Sequence, residues 1–216
     1  MQSRRFLFAV AVFLLAVTLG LTAQNEIAVL GLANYASPSV GEFTSGWCTG
    51  CRESEALRNS AGLGVEYRRW WGKNGASLSY SVGPADSTIN GQAGWVHWPV
   101  VRSELALAWV RQFRWESRSP LYLKVGGGSF LLHGTLTGFD RQPEILAEAG
   151  TDTRVWSHLL LRSGFSVHLF RATGFGDPTY SGARTYMLEP KVGLVWTFGN
   201  RLTTTAPRKQ SSSAPR

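Results

Sequence analysis

The sequence has few cysteines, few charged residues and only one long hydrophobic run. Its 216 residues include two cysteines, and 17% of them are charged against 44% hydrophobic and 12% aromatic. This apolar and aromatic composition excludes a disordered chain. The length favours one domain with short additions over a multidomain enzyme. After residue 23 no apolar run has the length of a spanning helix, which excludes a polytopic helical membrane protein.

The single long apolar run lies at the N-terminus. Basic Arg4 and Arg5 precede the uncharged stretch 6–23, which ends on the small residue Ala23. This pattern predicts a secretory signal peptide over residues 1–23. The alternative is a retained membrane anchor, because a run of this length lies at the lower limit for a spanning helix.

The excess of basic charge lies mainly in the C-terminal tail. Residues 199–216 hold four basic residues, no acidic residue, two Ser or Thr triplets and two Ala-Pro pairs. We predict a disordered periplasmic extension, which is either simply solvated or in contact with anionic polymer or lipid. No nucleic-acid partner is expected, because such a partner needs a folded basic face.

Residues 24–198 have the alternating pattern of β-strands. In one segment Val192, Leu194 and Trp196 alternate with Lys191 and Gly193. Each such segment is about ten residues long, the length that a tilted strand needs to cross a bilayer. The pattern predicts eight strands, at residues 26–35, 60–70, 75–83, 103–114, 121–131, 144–155, 159–171 and 186–198.

The predicted connections alternate between long and short. Short turns are expected at 71–74, 115–120 and 156–158, and long loops at 36–59, 84–102, 132–143 and 172–185. Short periplasmic turns and long outer loops are typical of bacterial outer-membrane barrels. Aromatic residues near the short turns predict a periplasmic aromatic girdle, although they are also compatible with the closed end of a soluble barrel. The girdle residues are Trp70, Trp71, Trp115, Trp156, Trp196 and Phe198.

The alternation also predicts which side chains point into the barrel. Ten charged residues, five acids and five bases, fall on the interior face: Glu66, Arg68, Glu104, Lys124, Glu148, Asp152, Arg154, Arg162, Glu189 and Lys191. An eight-stranded barrel has room for side chains only, and buried charge persists when it is paired. We therefore expect an ion-paired plug rather than an open pore. Leu107 and Val167 are expected to face lipid.

The segments "AGLGVEYRRWWG", "PLYLKVGGGSFLL", "EAGTDTRVWSHLLLRSGFSVHLF" and "LEPKVGLVWTFG" resemble the eight-stranded outer-membrane β-barrel family, of the OmpA transmembrane-domain and OmpX type. The resemblance covers nearly all of residues 24–198 and is architectural rather than chemical. It implies an all-β, antiparallel up-and-down transmembrane barrel in the bacterial outer membrane. One departure is that family members usually end on an aromatic residue, whereas 18 residues follow Phe198.

Motifs that carry chemistry are few. Cys48 and Cys51 lie in the first long loop, and an exported protein favours a disulfide between them. Free or lipid-adjacent thiols remain an alternative, as does a zinc site completed by His97 and His133. Neither a redox motif nor a bound metal or other cofactor is expected.

The function expected from these features is structural or adhesive, exerted through surface loops of a monomeric barrel in outer-membrane lipid. A surface ligand would bind loops 36–59 and 84–102, where Trp47, Trp95 and Trp98 either contact it or complete an outer girdle. One alternative is a lipid-modifying enzyme, but Ser166 and His168 point inward, and Gly126 to Ser129 lies within a strand, so no catalytic residue is assigned. The other alternative is a soluble lipocalin-like barrel, which would have its apolar side chains inside and its polar side chains outside.

Overall fold

Ten antiparallel β-strands form the described part of the chain. The computed structural model describes residues 23–36, 41–44, 52–57, 59–91, 94–113, 118–134, 138–171 and 184–199. Within these ranges there is no helix of the length and apolarity that crossing a membrane requires. The strands are β1 (Gln24–Ala36), β2 (Gly41–Thr44), β3 (Arg52–Leu57), β4 (Ser60–Trp71), β5 (Asn74–Gly91), β6 (Gly94–Phe113), β7 (Leu121–Gly134), β8 (Gly138–Arg154), β9 (Leu159–Arg171) and β10 (Arg184–Phe198).

Eight of the strands close into a barrel. Around its wall the order is β5-β4-β1-β10-β9-β8-β7-β6, and β6 pairs again with β5. The first and last strands are neighbours, with Ile27 opposite Trp196 and Val29 opposite Leu194. The predicted all-β, eight-stranded, antiparallel up-and-down fold is confirmed. The signal peptide, the basic tail and the two cysteines lie outside the described residues, apart from Ala23 and Gly199 at the barrel's ends.

Tight turns connect strands at one end of the barrel. β4 and β5 pair as far as Trp71 and Asn74, so only Gly72 and Lys73 form the connection. Gly72 has a φ of 69°. Two-residue hairpin turns that match the strand twist need a positive φ, which glycine adopts without steric cost.

Two of the predicted long loops are mostly strand. β5 and β6 stay paired from Asn74–Arg111 to Gly91–Gly94, across most of residues 84–102. β7 and β8 stay paired to Gly134–Gly138, within the predicted loop 132–143. The loop predictions relied on polar, Gly- and Pro-rich composition. Backbone ladders outside the bilayer do not need alternating apolar side chains, so this composition does not end the strands.

The first long connection also contains strands. β2 pairs with β3, and β3 pairs with the far end of β5 through Ser54–Asn90 to Leu57–Ser87. Beyond the barrel, β2, β3, β5 and β6 therefore form one four-stranded sheet, which we name the outer sheet. Its β5 and β6 strands continue directly from the barrel wall.

The wall has an apolar exterior. In β6, Leu107 exposes 64% of its surface, whereas Ala106 and Ala108 expose 1% and 5%. The same alternation runs through the other barrel strands, and Val167 is half-buried on the exterior face. An exposed apolar surface that surrounds a barrel is far larger than soluble monomers carry. It is therefore a lipid-facing surface, and the reversed, lipocalin-like arrangement is wrong.

Small residues make room for one large interior side chain. A Cβ atom added at Gly150 or Gly164 would collide with the Tyr122 hydroxyl. Tyr122 is 1% exposed and lies across these two neighbouring strands. Glycine at both positions thus lets an aromatic ring cross the interior next to the charged groups.

Candidate functional site in the barrel interior

The interior near the tight turns holds a network of eight charges, which we name the eight-charge network. Its members come from β1, β4, β7, β8, β9 and β10, which the closed sheet brings around one small volume. They comprise four acids and four bases: Glu26, Glu66, Glu148, Asp152, Arg68, Lys124, Arg162 and Lys191.

Arg162 makes more hydrogen bonds to carboxylates than the other cations of the network. Its Nε lies 2.7 Å from Asp152 Oδ1, and its Nη1 lies 2.7 Å from Glu66 Oε2. Its Nη2 lies 2.9 Å from Glu26 Oε2. The planar guanidinium group can donate in several directions at once, which suits it to join carboxylates from different strands.

Two further cations each pair with both Glu66 and Glu148. Lys124 Nζ lies 2.7 Å from Glu66 Oε1 and 3.2 Å from Glu148 Oε2. Arg68 Nη2 lies 3.0 Å from Glu66 Oε2 and 3.3 Å from Glu148 Oε1, and its guanidinium lies 4.1 Å from the Tyr122 ring centre. Tyr122 donates a 2.7 Å hydrogen bond to Glu148. Every carboxylate of the network has a cation within ion-pair distance, as buried charge requires.

A second group lies closer to the outer end and centres on a histidine. We name it the histidine cluster; it consists of Arg102, Glu104, Glu144, His168 and Glu189, all buried. His168 Nδ1 lies 3.2 Å from Glu144 Oε2 and 3.5 Å from Glu104 Oε2. His168 Nε2 lies 3.7 Å from Glu189 Oε1. Lys191 links the two groups, because its Nζ lies 3.0 Å from Glu148 and 3.3 Å from Glu189.

Apolar residues pack beyond the histidine cluster. Phe130 and Phe170 stack with ring centres 4.8 Å apart and an interplanar angle of 14°. They form one buried cluster with Met187, Val100, Leu132 and Ala85. Toward the tight turns a smaller cluster contains Trp70, Val110 and Tyr122. A third buried apolar cluster includes Leu30 and Leu32, which line one cavity with Glu104 and Lys124, so apolar side chains lie beside the charged groups as well as beyond them.

The structure places the ten predicted interior charges unequally. Eight of them are buried, and Lys191, although half-buried as a residue, has 7% of its side chain exposed within its ion pairs. Arg154 differs, because it is exposed. It is the last residue of β8, where the strand reaches the rim of the barrel. A side chain directed inward at this position therefore meets solvent.

Four members of these groups were missing from the predicted set of interior charges. Three of them have the alternation phase of the interior face, because each lies two residues from a side chain that is also buried there. These are Glu26 with Ala28, Arg102 with Glu104, and Glu144 with Leu146. For His168 the alternation predicts an inward direction but no partner. Its partners come from β6, β8 and β10, and pairing across a barrel leaves no local sequence pattern.

The predicted girdle residues fall into three groups. Trp71, Trp156, Trp196 and Phe198 are exposed near the tight-turn end. Trp115 lies outside the described residues. Trp70 is 2% exposed and points inward, so its assignment to the girdle is wrong. It shares the interior phase of Arg68, and this alternation prevails over the preference of tryptophan for interfaces.

The proposed alternative zinc ligands are described only in part. Cys48 and Cys51 and the side chain of His97 lie outside the described residues. His133 is exposed in β7. Neither the disulfide nor the zinc alternative is tested, and both stay predictions.

A closed antiparallel barrel with charged side chains inside and apolar side chains outside defines a class of protein. The backbone N–H and C=O groups form their hydrogen bonds within the wall, so the apolar exterior can contact hydrocarbon. The chain is an integral β-barrel of the bacterial outer membrane.

Solved structures have the same fold. The chain is similar to the outer-membrane protein OprG from Pseudomonas aeruginosa, with a TM-score of 0.60 and 13% identity over 84% of this chain and 99% of that one. Neisserial surface protein A gives a TM-score of 0.54 and 10% identity, covering 82% and 97% of the two chains. The outer-membrane protein AlkL gives 0.54 and 16%, covering 84% and 93%. At these identities the similarity shows the fold alone.

The sequence comparisons show no family. No protein-family model matches the chain. A segment of 77 residues is 35% identical to phosphomevalonate decarboxylase of Haloferax volcanii, covering 35% of this chain and 24% of that enzyme. The chain spans about a quarter of the length of that relative. This partial similarity does not assign decarboxylase activity to the chain.

Proposed function

We propose that the protein is a monomeric, non-conducting barrel that displays the outer sheet at the cell surface as an adhesive platform. The observation that carries the proposal is the length of β5 and β6, which have 18 and 20 residues. A tilted strand crosses the hydrocarbon with about 9 to 11 residues. Roughly half of this hairpin is therefore available beyond the membrane.

The interior supports a closed lumen. The eight-charge network joins strands across the barrel, and the stacked Phe130 and Phe170 lie over the histidine cluster. A conducting pore needs a continuous water-filled path, whereas these side chains contact one another across the interior. We expect the protein in planar bilayers to show no steady single-channel conductance, and a stable open level of ion conduction would contradict the closed lumen.

The outer sheet supports a binding role. Backbone pairing of β3 to β5 holds the first and second outer connections together, so a partner would meet one rigid surface rather than separate loops. Predicted loops 36–59 and 84–102 both contribute to it. Rigid presentation reduces the ordering cost of binding.

The test replaces the projecting hairpin. Residues 87–98 are exchanged for Asn-Gly, which joins Asp86 to its ladder partner Pro99 by a two-residue turn. We expect this variant to insert normally, with whole cells losing adherence to host or matrix material. The matched control replaces residues 134–138 by the same turn between the partners His133 and Phe139, which keeps the buried Leu132, and it should keep adherence.

Three outcomes decide between the roles. Loss of adherence only in the 87–98 variant supports adhesion. Unchanged adherence in both variants contradicts it and leaves a structural barrel. Failure of the 87–98 variant to insert would assign the hairpin to assembly instead.

A specific arrangement favours a second candidate, a hydrolase. Ser166 Oγ lies 3.0 Å from His168 Nε2, and His168 Nδ1 lies 3.2 Å from Glu144, in the order nucleophile, base and orienting acid. Ser166 is 0% exposed, so a substrate has no contact with it in this conformation. A fluorophosphonate probe labels an activated serine. Labelling that disappears in Ser166→Ala would support the hydrolase, and absence of labelling in the folded protein supports the non-enzymatic role.

A further inference from the structure

The described interior carries an excess of negative charge. Seven buried acids face five buried bases, and the eight-charge network is balanced within itself. The excess therefore lies around the histidine cluster, where the cations for Glu104, Glu144 and Glu189 in the described chain are Arg102 and Lys191, which also pairs with Glu148, apart from His168. Uncompensated charge in a low-dielectric interior is destabilising, and a bound cation offsets it.

Ligand atoms converge at this position. One atom each from Glu104, His168 and Glu189 lie within 4.8 Å of one another. If Nε2 of His168 is the ligand atom, the ion replaces the Ser166 hydroxyl that now lies 3.0 Å from it, and Nδ1 donates to Glu144 Oε2, 3.2 Å away. A carboxylate behind a histidine is the arrangement that orients most metal-binding imidazoles.

A small cavity and unpartnered polar atoms adjoin the converging ligands. The cavity measures about 20 Å³, enough for one water-sized occupant. Its lining includes Glu104, His168, Glu189 and Ser81, and also Lys124 and Lys191, which pair with the acids of the eight-charge network. Ser81 is 8% exposed, and its Oγ has no hydrogen-bond partner among the described residues. Glu104 Oε2 likewise accepts no hydrogen bond within that part of the chain. Buried oxygens without a hydrogen-bond partner, on two residues that line one cavity, indicate a ligand.

We propose that Glu104, Glu189 and His168 Nε2 bind one divalent transition-metal ion inside the barrel, with Ser81 beside the ion and Glu144 orienting the imidazole. One imidazole with two carboxylates suits Zn²⁺ or a similar first-row ion better than Ca²⁺ or Mg²⁺, which prefer oxygen ligands alone. The ion would cancel the charge excess and join β6, β9 and β10. The site is independent of the adhesive proposal.

The test measures Zn²⁺ binding to the full-length chain, refolded in detergent micelles with Cys48→Ser and Cys51→Ser in every sample. After removal of loosely bound metal, we expect one zinc per folded chain by elemental analysis. X-ray absorption should show nitrogen and oxygen ligands at about 2.0 to 2.2 Å, including one imidazole. This measurement needs no change in the barrel interior.

Interior variants then locate the ion. His168→Gln and Glu104→Gln should weaken Zn²⁺ binding more than about 100-fold, and Glu144→Gln by about 10-fold or more, as changes behind a metal ligand do. Glu26→Gln is the matched control, because it neutralises a buried acid of the eight-charge network. Ser166→Ala separates the site from the hydrolase arrangement. Both controls should keep full binding.

Several results would overturn the site. The first is that the folded wild-type barrel binds no stoichiometric zinc. The second is that Glu26→Gln and His168→Gln lose zinc equally, which would indicate a general response to negative charge. Absence of an imidazole from the absorption spectrum would also do so. Heat-dependent gel mobility verifies the folding of each variant. If His168→Gln does not fold, Glu104→Gln and the wild-type spectrum decide the question.

Discussion

At the scale of single residues, Arg162 shows how an ionic interior is held together. It pairs with carboxylates on three other strands, at Asp152 in β8, Glu66 in β4 and Glu26 in β1. All four side chains are 2% exposed or less. Removing one partner of such a group leaves an unpaired buried charge. This destabilises the fold far more than replacing both partners by apolar residues does.

Arg162→Met should therefore lower the free energy of unfolding by about 3 to 5 kcal/mol. Adding Asp152→Asn should recover part of the loss, since one of the stranded carboxylates is then removed. Urea unfolding of the barrel refolded in lipid vesicles measures both. If the losses in this double-mutant cycle add, the two groups do not interact.

On the lipid face a single charge should be costly. Leu107 is exposed on the exterior near the middle of β6, so Leu107→Arg should cost about 2 to 4 kcal/mol of unfolding free energy. Val167→Arg should also be destabilising, and Ser87→Arg in the outer sheet should cost little. Equal tolerance at the three positions, in the same vesicle assay, would contradict the lipid-facing assignment.

At the scale of elements, the outer sheet depends on a ladder outside the bilayer. Thr88 lies in β5 between Ala56 of β3 and His97 of β6. Proline in a central strand removes a ladder hydrogen bond.

Thr88→Pro should therefore open the outer sheet while the barrel still assembles. The readout is cleavage of the outer connections by protease added to whole cells, which should increase, while the heat-dependent gel shift is kept. Thr88→Ala is the control, because it keeps the N–H group and should resist protease like the wild type. Unchanged resistance in Thr88→Pro would mean that the ladder is not what protects these segments.

Alternation predicted the barrel strands because the pleat directs successive side chains to opposite faces of the wall. The same rule accounts for Glu66, Arg68 and Arg162 in the interior. For Trp70 the alternation and the preference of tryptophan for interfaces point to opposite sides of the wall, and the girdle prediction, which follows the interface preference, is wrong. The extent of β5 beyond Gly83 and the grouping around His168 depend on backbone pairing between distant segments, for which one sequence carries no local pattern.

At the scale of the whole molecule, the barrel is one closed sheet without a free edge among its eight wall strands. Such a sheet resists detergent while folded, because every wall strand is paired on both sides.

The unboiled protein should therefore migrate differently from the boiled protein on a denaturing gel, and cell fractionation should recover it with the outer membrane. The comparison needs only the wild-type chain. Identical migration of the two samples, together with recovery from the soluble fraction, would be incompatible with the barrel.

The pairing of β1 with β10 sets the timing of folding. Asn25 meets Phe198 across this seam, so closure waits for the last strand to be synthesised and exported. The entropy of bringing such distant segments together contributes about 4.5 kcal/mol through its dependence on chain length alone. Before closure, β1 and β9 each present an unpaired edge that can aggregate. We therefore expect a product truncated before residue 184, which lacks β10, to leave both edges unpaired and to aggregate rather than to form a smaller barrel.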